Sequence, residues 1–370
     1  MKLPAEVLTL SSLFNQVGHE LYVVGGAVRD AVLGQSPKDF DVATGATPDQ
    51  VVKLLKTLPG GCKINAVGKS FGVVKVQFYA ARNELEIATF RQDVGAGRRP
   101  ESVVFTTIDE DVKRRDLTIN ALFFDIERSE LVDLVGGLAD LDAKLVRTVG
   151  DPFARFAEDR LRILRAVRFA CKLGFDIEGM TAQAIKHDPN LHGVSPERIH
   201  DEFTRAVATA KHVPALMQHL NYFDLWPHVL PGLNVSYQLA EGITSRVPEV
   251  ALAVLLDHQR PCGIDERLAA LKYSAHEISR TTFLLRYRDL EVSSAFKLRK
   301  AFLACSMSAE VLQDYYRLRG LPVTALVRAF NDYLRAAPVK GGDVMKDGFA
   351  KQALGAEIER RETEIFKGLL

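Results

Sequence analysis

Two aspartates, Asp39 and Asp41, stand two residues apart in the stretch KDFDVA, and a strand starting there turns both carboxylates to one face. Carboxylates that close repel each other unless a cation lies between them. Hard oxygen ligands of this kind suit Mg²⁺, which commonly also binds the phosphates of a substrate. Glu86, in ELEIATF, lies on a later alternating stretch that can aim it at the same face as a third carboxylate. Just upstream, LYVVGGAVRD places Gly25 and Gly26 between an apolar run and a helix start, with Arg29 one helical turn inside. Backbone N–H groups at such a turn can bind an anion, and Arg29 adds charge. A triphosphate cradle beside metal-binding carboxylates is the equipment for in-line nucleotidyl transfer, in which one metal activates a hydroxyl and another stabilises pyrophosphate. Taken separately, the glycine pair also reads as a tight turn without a ligand, and Asp-x-Asp as a solvated turn.

Other phosphate-binding and hydrolytic motifs fail on spacing. The loop Gly25-Gly26-Ala27-Val28-Arg29-Asp30 lacks the third glycine of a dinucleotide fingerprint. Gly68-Lys69-Ser70 resembles the end of a Walker A motif, but Lys63 stands where its first glycine belongs. Asp257-His258 has the reverse order of a His-Asp phosphohydrolase pair and no partner pairs.

A second chemical pattern runs from Glu158 to Phe169. Leu161, Leu164 and Phe169 are read as the inward side, while Asp159, Arg162, Arg165 and Arg168 recur every three residues along one helix from Glu158. The stripe reads either as a salt-bridged solvent face or as a ruler for a nucleotide.

The elements that must position these groups follow from periodicity. A helix is expected over residues 5 to 17, with Val7, Leu8, Leu10 and Leu13 on one side and Gly18 closing it. Leu21 to Val24 is a short buried strand, Ala27 to Leu33 a helix closed by Gly34, and Phe40 to Ala43 a second strand. Thr47-Pro48 opens a helix as cap and first residue. GVVKVQFYA alternates as a half-buried strand, and ELEIATF sets Glu84, Glu86 and Ala88 on one face against Leu85 and Ile87. INALFFDI and ELVDLVG add one or two strands. From Asp151 onward the pattern is helical, broken by prolines, with no strand expected; Ser195 and Pro196 start one of these helices.

The 370 residues allow two to four domains, and 47% hydrophobic with 26% charged residues is an ordinary globular composition. Forty-eight basic against 47 acidic residues leave no net charge to announce a nucleic-acid partner, so any such surface must be a local patch. Cys62, Cys171, Cys262 and Cys305 lie far apart and fit reduced, mostly buried thiols of a cytoplasmic protein. The N-terminal stretch has Glu6 and no long apolar core, so no signal peptide is expected, and no apolar run reaches membrane-spanning length.

GGAVRD with DFD, then VGKSFGVV, RRPESVVF, KRRDLTINAL, GGLADLDAKLVRTVG and FAEDRLRILRAVRFACKLGF together resemble the successive motifs of class II tRNA nucleotidyltransferases. These are the CCA-adding enzymes and their bacterial poly(A) polymerase relatives. The resemblance covers roughly residues 20 to 205 and implies an α+β fold: a polymerase-β-like nucleotidyltransferase head (1–135), followed by an all-helical neck (136–205), body (206–280) and tail (281–370). It implies Mg²⁺ on Asp39 and Asp41 and an auxiliary role for Glu86. Gly25, Gly26 and Arg29 would contact the incoming nucleotide, and Arg115, supported by Asp116 and Asn120, its ribose and phosphates. Asp159 and Arg162 would read the base edge of CTP and ATP in place of a template strand, while Arg165 and Arg168 hold base and triphosphate in register. Thr118 is left as structural.

The partners implied are the tRNA 3′ end, CTP and ATP, with no membrane and no obligate protein partner evident. In the C-terminal half, Arg286, Arg288, Lys297, Arg299, Lys300, Arg317 and Arg319, near Tyr315 and Tyr316, form a candidate tRNA patch. The loop RQDVGAGRRPES stands where the family carries an element that switches C to A addition. CC-only, A-only and poly(A) addition share these motifs, and a catalytically silent RNA-binding module is the contrasting reading.

Overall fold

The computed structural model describes residues 1–79, 84–94, 102–236, 242–259, 263–288, 295–320 and 339–369. The chain divides into two compact units, Met1–Ala170 with Gly174–His192, and Cys171–Leu173 with Gly193–Leu370.

In the first unit, helix α1 (Ala5–Asn15) buries Val7, Leu10 and Phe14; Leu8, expected on that stripe, is exposed and Phe14 completes it instead. Strands β1 (Leu21–Val24), β2 (Asp41–Thr44), β3 (Cys62–Asn65), β4 (Val73–Phe78) and β5 (Glu84–Thr89) follow. Between them run α2 (Gly26–Val32) and α3 (Pro48–Leu55). Next come β6 (Arg91–Val94), β7 (Ser102–Phe105), α4 (Ile108–Lys113), β8 (Phe123–Asp125) and β9 (Glu130–Val132). The main sheet has the order β3-β4-β5-β2-β1-β8-β9, and β6 pairs with β7 in a separate ribbon. Within the sheet β2 and β5 run parallel, while their other partners are antiparallel. The expected cap of α3 is present as a capping box: Gln50 N donates to Thr47 Oγ1, and Thr47 N donates to Gln50 Oε1 at 2.8 Å. The loop expectation at RQDVGAGRRPES falls in part on residues 95–101, which lie outside the described residues.

Why β1 sits centrally is clear from its composition: all four of its residues are buried. Tyr22, Phe90 and Phe123 meet at ring separations of 5.9 to 6.2 Å, and with Val24, Ala43, Val112, Ala121 and Val149 form one core cluster. Each such apolar side chain contributes about 1.5–3 kcal/mol on burial. This cluster lies directly beneath the charged groups described below.

The unit continues with α5 (Gly137–Asp142), β10 (Leu145–Val146), α6 (Pro152–Glu158), α7 (Leu161–Leu173), β11 (Asp176–Ile177) and α8 (Gly179–His187). β10 and β11 pair in parallel, so one two-residue strand does occur beyond Asp151. Gly137 is required by a close approach, since a Cβ there would lie 2.3 Å from the Thr118 carbonyl oxygen. Thr118 itself is structural, donating to Asp140 Oδ2 at 2.6 Å.

The second unit is helical: α9 (Pro196–Thr209), α10 (Val213–Tyr222), α11 (Trp226–Val229), α12 (Pro248–Leu255), α13 (Ile264–Ala270), α14 (Ala275–Arg286), α15 (Ala295–Ala304), α16 (Ala309–Leu318), α17 (Gly341–Lys346) and α18 (Lys351–Leu369). Ser195 and Pro196 start α9 as expected. Three of the seven basic residues of the candidate patch are committed internally. Arg299 Nη2 pairs with the fully buried Glu362 at 2.8 Å, Arg319 pairs with Asp257, and Arg288 donates to the carbonyls of Asp257 and Gln259. Tyr315 and Tyr316 are buried, donating to Asp257 Oδ1 and Tyr287 O at 3.1 and 2.8 Å. Arg286, Lys300 and Arg317 face solvent, and the side chain of Lys297 lies outside the described residues. Cys171 and Cys305 are buried free thiols, Cys62 is half-buried, and Cys262 lies outside the described residues. Among the described residues no helix is long and apolar enough to cross a membrane.

Candidate active site

The turn between β1 and α2 depends on Gly25, whose φ of 70° and ψ of −126° is a conformation that side-chain-bearing residues rarely adopt. A Cβ at this position would also stand 3.6 Å from Asn120 O and 3.8 Å from Arg115 Nη1. Gly25 N donates to Leu122 O at 3.0 Å, binding the glycine turn to the segment after Arg115. Arg29, one turn into α2, is 2% exposed. It donates to Asp30 Oδ1 and, at 2.5 Å, to Asn120 Oδ1.

The register of β2 and β5 sets Asp41 directly opposite Glu86 on adjacent strands. Loss of solvation at the start of β2, the Glu86 carboxylate and the Asp39 carboxylate, in that order, push the Asp41 carboxyl above its ordinary range; Arg115 and Lys75 oppose them. Mutual repulsion of this kind is the signature of oxygen donors suited to a divalent cation. Glu86, however, is already engaged: Lys75 on β4 lies 2.5 Å from its Oε1 and 3.2 Å from Glu84. Among the described residues no three acidic, histidine or cysteine side chains converge as a ready metal cage. The donor set that fits a cation is therefore Asp39 and Asp41, and Glu86 stands beside them with its charge countered by Lys75.

Arg115 bridges the acidic edge and the core. Its guanidinium lies 4.6 Å from the centroid of the Phe123 ring and donates to Asp111 Oδ2 through Nε and Nη2 at 3.2 and 3.0 Å. Burial pushes its pKa down, an effect that Asp111 opposes. Asp116 accepts from Arg165 Nε at 2.7 Å, from Leu117 N at 2.8 Å and from Asn120 Nδ2 at 3.4 Å. Burial alone would raise its pKa, but the Arg165 charge and these bonds hold it below the ordinary carboxylate range. Arg29, Asn120, Asp116 and Arg165 thus form one hydrogen-bonded chain. Beside it, the Phe169 ring has Arg168, Arg29 and Arg165 at 4.2, 5.1 and 5.7 Å from its centroid. Arg168 is buried at 8% exposure, packed over that ring and not on an open polar stripe.

The base-reading candidates assemble differently from the sequence expectation. α6 ends at Glu158 and α7 begins at Leu161, with Asp159 extended between them at φ −147° and ψ 102°. Asp159 is therefore off the helical ruler. Its Oδ1 accepts from Leu161 N at 3.1 Å, which orients the carboxylate at the start of α7. Asp159 and Arg162 nevertheless line one cavity of about 410 Å³, together with Arg91, Arg114, Arg155 and Glu158. Arg162 is anchored by Glu158 Oε2 at 2.7 Å, Arg155 O at 2.9 Å and Arg114 O at 3.2 Å. Arg155 in turn donates to Arg115 O at 3.3 Å and pairs with Glu158.

Five further residues shape the site: Lys75, Asp111, Arg155, Glu158 and Phe169. Lys75 was detectable from the alternation that places it opposite Glu86, and Asp111 from its i+3 and i+4 spacing to Arg114 and Arg115. Glu158 and Phe169 bound the charged pattern read from the sequence without a role of their own there, and nothing local marks Arg155 as part of a site.

Two family models match this chain: the Poly A polymerase head domain over residues 21–147, and the probable RNA and SrmB-binding site of polymerase A over residues 174–236. A CCA-adding enzyme of Bacillus pumilus is 45% identical over 342 residues, spanning 86% of this chain and 78% of that protein. Poly(A) polymerase I of Salmonella typhimurium is 40% identical over 234 residues, spanning 60% of this chain and 48% of that protein. The crystal structure of the Bacillus stearothermophilus CCA-adding enzyme in complex with CTP superimposes with a TM-score of 0.76 at 27% identity, covering 100% of this chain and 94% of that one. A polymerase-type head with paired carboxylates, a helical remainder and a relative this similar along most of both sequences lead to one conclusion: the chain belongs to the nucleotidyltransferase family of CCA-adding enzymes and bacterial poly(A) polymerases.

Proposed function

We propose that this protein adds CCA to the 3′ ends of tRNA from CTP and ATP, releasing pyrophosphate. The observation that carries the reading is the shared cavity of Asp159 and Arg162, braced by the carbonyls of Arg114 and Arg115, whose second guanidinium reaches the field of Asp41. CTP and ATP each present an exocyclic amine that can donate to Asp159 and a ring nitrogen that can accept from Arg162. UTP and GTP present a carbonyl and an N–H instead, so both contacts turn repulsive and selection comes partly by rejection. Asp39 and Asp41 would hold Mg²⁺, which supplies charge neutralisation on the phosphates and lowers the pKa of a bound hydroxyl. Gly25 and Gly26 let the backbone approach the triphosphate. Arg29, Arg165 and Arg168 supply positive charge on one side, and Arg115 with Asp116 and Asn120 orients the sugar.

In this reading residues 1–135 are the head, 136–205 the neck that selects the nucleotide, 206–280 the body and 281–370 the tRNA-binding tail. Among the described tail residues Arg286, Lys300 and Arg317 remain as phosphate contacts. An enzyme acting on these substrates belongs in the cytoplasm. The poly(A) polymerase reading is favoured by relatives such as poly(A) polymerase I of Salmonella typhimurium, of which the chain spans about half. Incubation of the protein with Mg²⁺ and tRNA ending at the discriminator base separates the two. Two additions from CTP followed by one from ATP support CCA addition; long A tails from ATP alone overturn it in favour of poly(A) synthesis.

A further inference from the structure

Asp111 is 1% exposed and takes no place in the chemistry described above, yet it is the most heavily bonded carboxylate near the site. Its Oδ1 accepts from Arg114 Nε at 2.8 Å and from the backbone N–H of Arg91, the first residue of β6, at 3.2 Å. Its Oδ2 accepts from Arg115 Nε and Nη2. One Arg bound bidentately would suffice to neutralise a buried carboxylate. This one instead draws two consecutive guanidiniums, which repel each other, onto the last turn of α4. With both side chains fixed, the peptides between them have no freedom to turn. The Arg114 carbonyl then meets Arg162 Nη2 at 3.2 Å, and the Arg115 carbonyl meets Arg155 Nη2 at 3.3 Å. Arg155 and Arg162 share Glu158 as a second acceptor.

We propose that Asp111 is a positioning residue for nucleotide selection, holding the Arg114–Arg115 segment to which the base-reading Arg162 is docked. The inference rests on the proposed nucleotidyltransferase reading. Asp111 touches neither base nor phosphate; it acts through a carboxylate, two guanidiniums and two carbonyls. Without it Arg114 and Arg115 separate, the two carbonyls reorient, and Arg162 loses the Arg114 carbonyl, keeping its Nη1 bonds to Glu158 and the Arg155 carbonyl.

The test uses the full chain with Mg²⁺, tRNA and the four nucleotides, comparing wild type with Asp111→Asn and Asp111→Glu. Wild-type addition of C and A from this mixture tests the functional reading by itself. The expected result for Asp111→Asn is a KM for CTP and ATP raised about tenfold, with the CTP:UTP and ATP:GTP incorporation ratios falling by a similar factor and kcat within about threefold. Asp111→Glu keeps the charge but shifts it by one methylene, so it moves the same quantities in the same direction by about threefold. Should Asp111→Asn lose its cooperative unfolding transition, the Glu variant decides alone. Lower kcat from a smaller folded fraction, with wild-type KM and wild-type ratios, would show an ordinary structural role and overturn the proposal.

Discussion

Asp159 stands in a setting that its spacing in the sequence does not announce. Acidic and basic residues spaced by three look like one helical face, whereas base reading by Asp159 is what the family resemblance implies. In the structure it leaves the helix and is turned by its bond to Leu161 N into the cavity that Arg162 also lines. Asp159→Ala is expected to relax rejection of UTP and GTP more than it slows CTP incorporation, because the repulsive contact is removed along with the attractive one. A four-nucleotide competition assay returning the wild-type preference would sink this role. Asp116 yields a prediction of another kind. Its folded pKa lies below the ordinary carboxylate range, so the stability it contributes is full above the unfolded value and drains away as pH falls through the folded one. Asp116→Asn should therefore unfold at lower urea than wild type by about 3 kcal/mol at neutral pH, since Arg165 loses its partner. The gap should close progressively below the ordinary carboxylate range; a gap independent of pH would count against the ion pair as its origin. Arg155 escapes sequence reading because the carbonyl it meets, that of Arg115, lies 40 residues away, and Glu158 because its pairs with Arg155 and Arg162 are those of any solvated helix face.

At the level of elements, period-2 alternation and apolar runs located β1, β2, β4 and β5 almost to the residue, because burial on one or both faces writes itself into composition. The break between α6 and α7 left no such mark: apolar and charged positions keep helical spacing straight across it, and only the backbone at Asp159 departs. The β10–β11 pair is two residues long on each side, below the length at which any pattern can show. α6 carries Arg155 and Glu158, so its start matters to what it presents at its end. Asp151 caps it, accepting from Phe153 N at 3.2 Å and Ala154 N at 3.3 Å. Asp151→Ala is expected to cost about 1 kcal/mol of stability, read from the urea midpoint. A loss several times larger would mean that the cap anchors more than the first turn of this helix.

For the whole molecule, a count of basic residues overstates what is left to meet a phosphate, because some are paired internally. Arg299, Arg319 and Arg288 are candidates for phosphate contact by charge and by the family resemblance, but each has a partner within the second unit. Glu362 is fully buried against Arg299, so Glu362→Gln should destabilise the protein by about 3–5 kcal/mol, the cost of leaving a buried guanidinium without its counter-charge. Differential scanning calorimetry showing no lowered transition would remove that pair from the stability account. The pairing of β2 with β5 has a different kind of reach. Asp41 and Glu86 face each other only because two strands 40-odd residues apart share one register. Strand side chains alternate with a period of two, so inserting or deleting one residue within 84–86 would send Glu86 to the opposite face of the sheet from Asp41. The loops outside these strands can change length over time without touching the acidic edge. The strands themselves tolerate substitution far better than any change in count, and drift in this part of the chain is confined to what leaves that count intact.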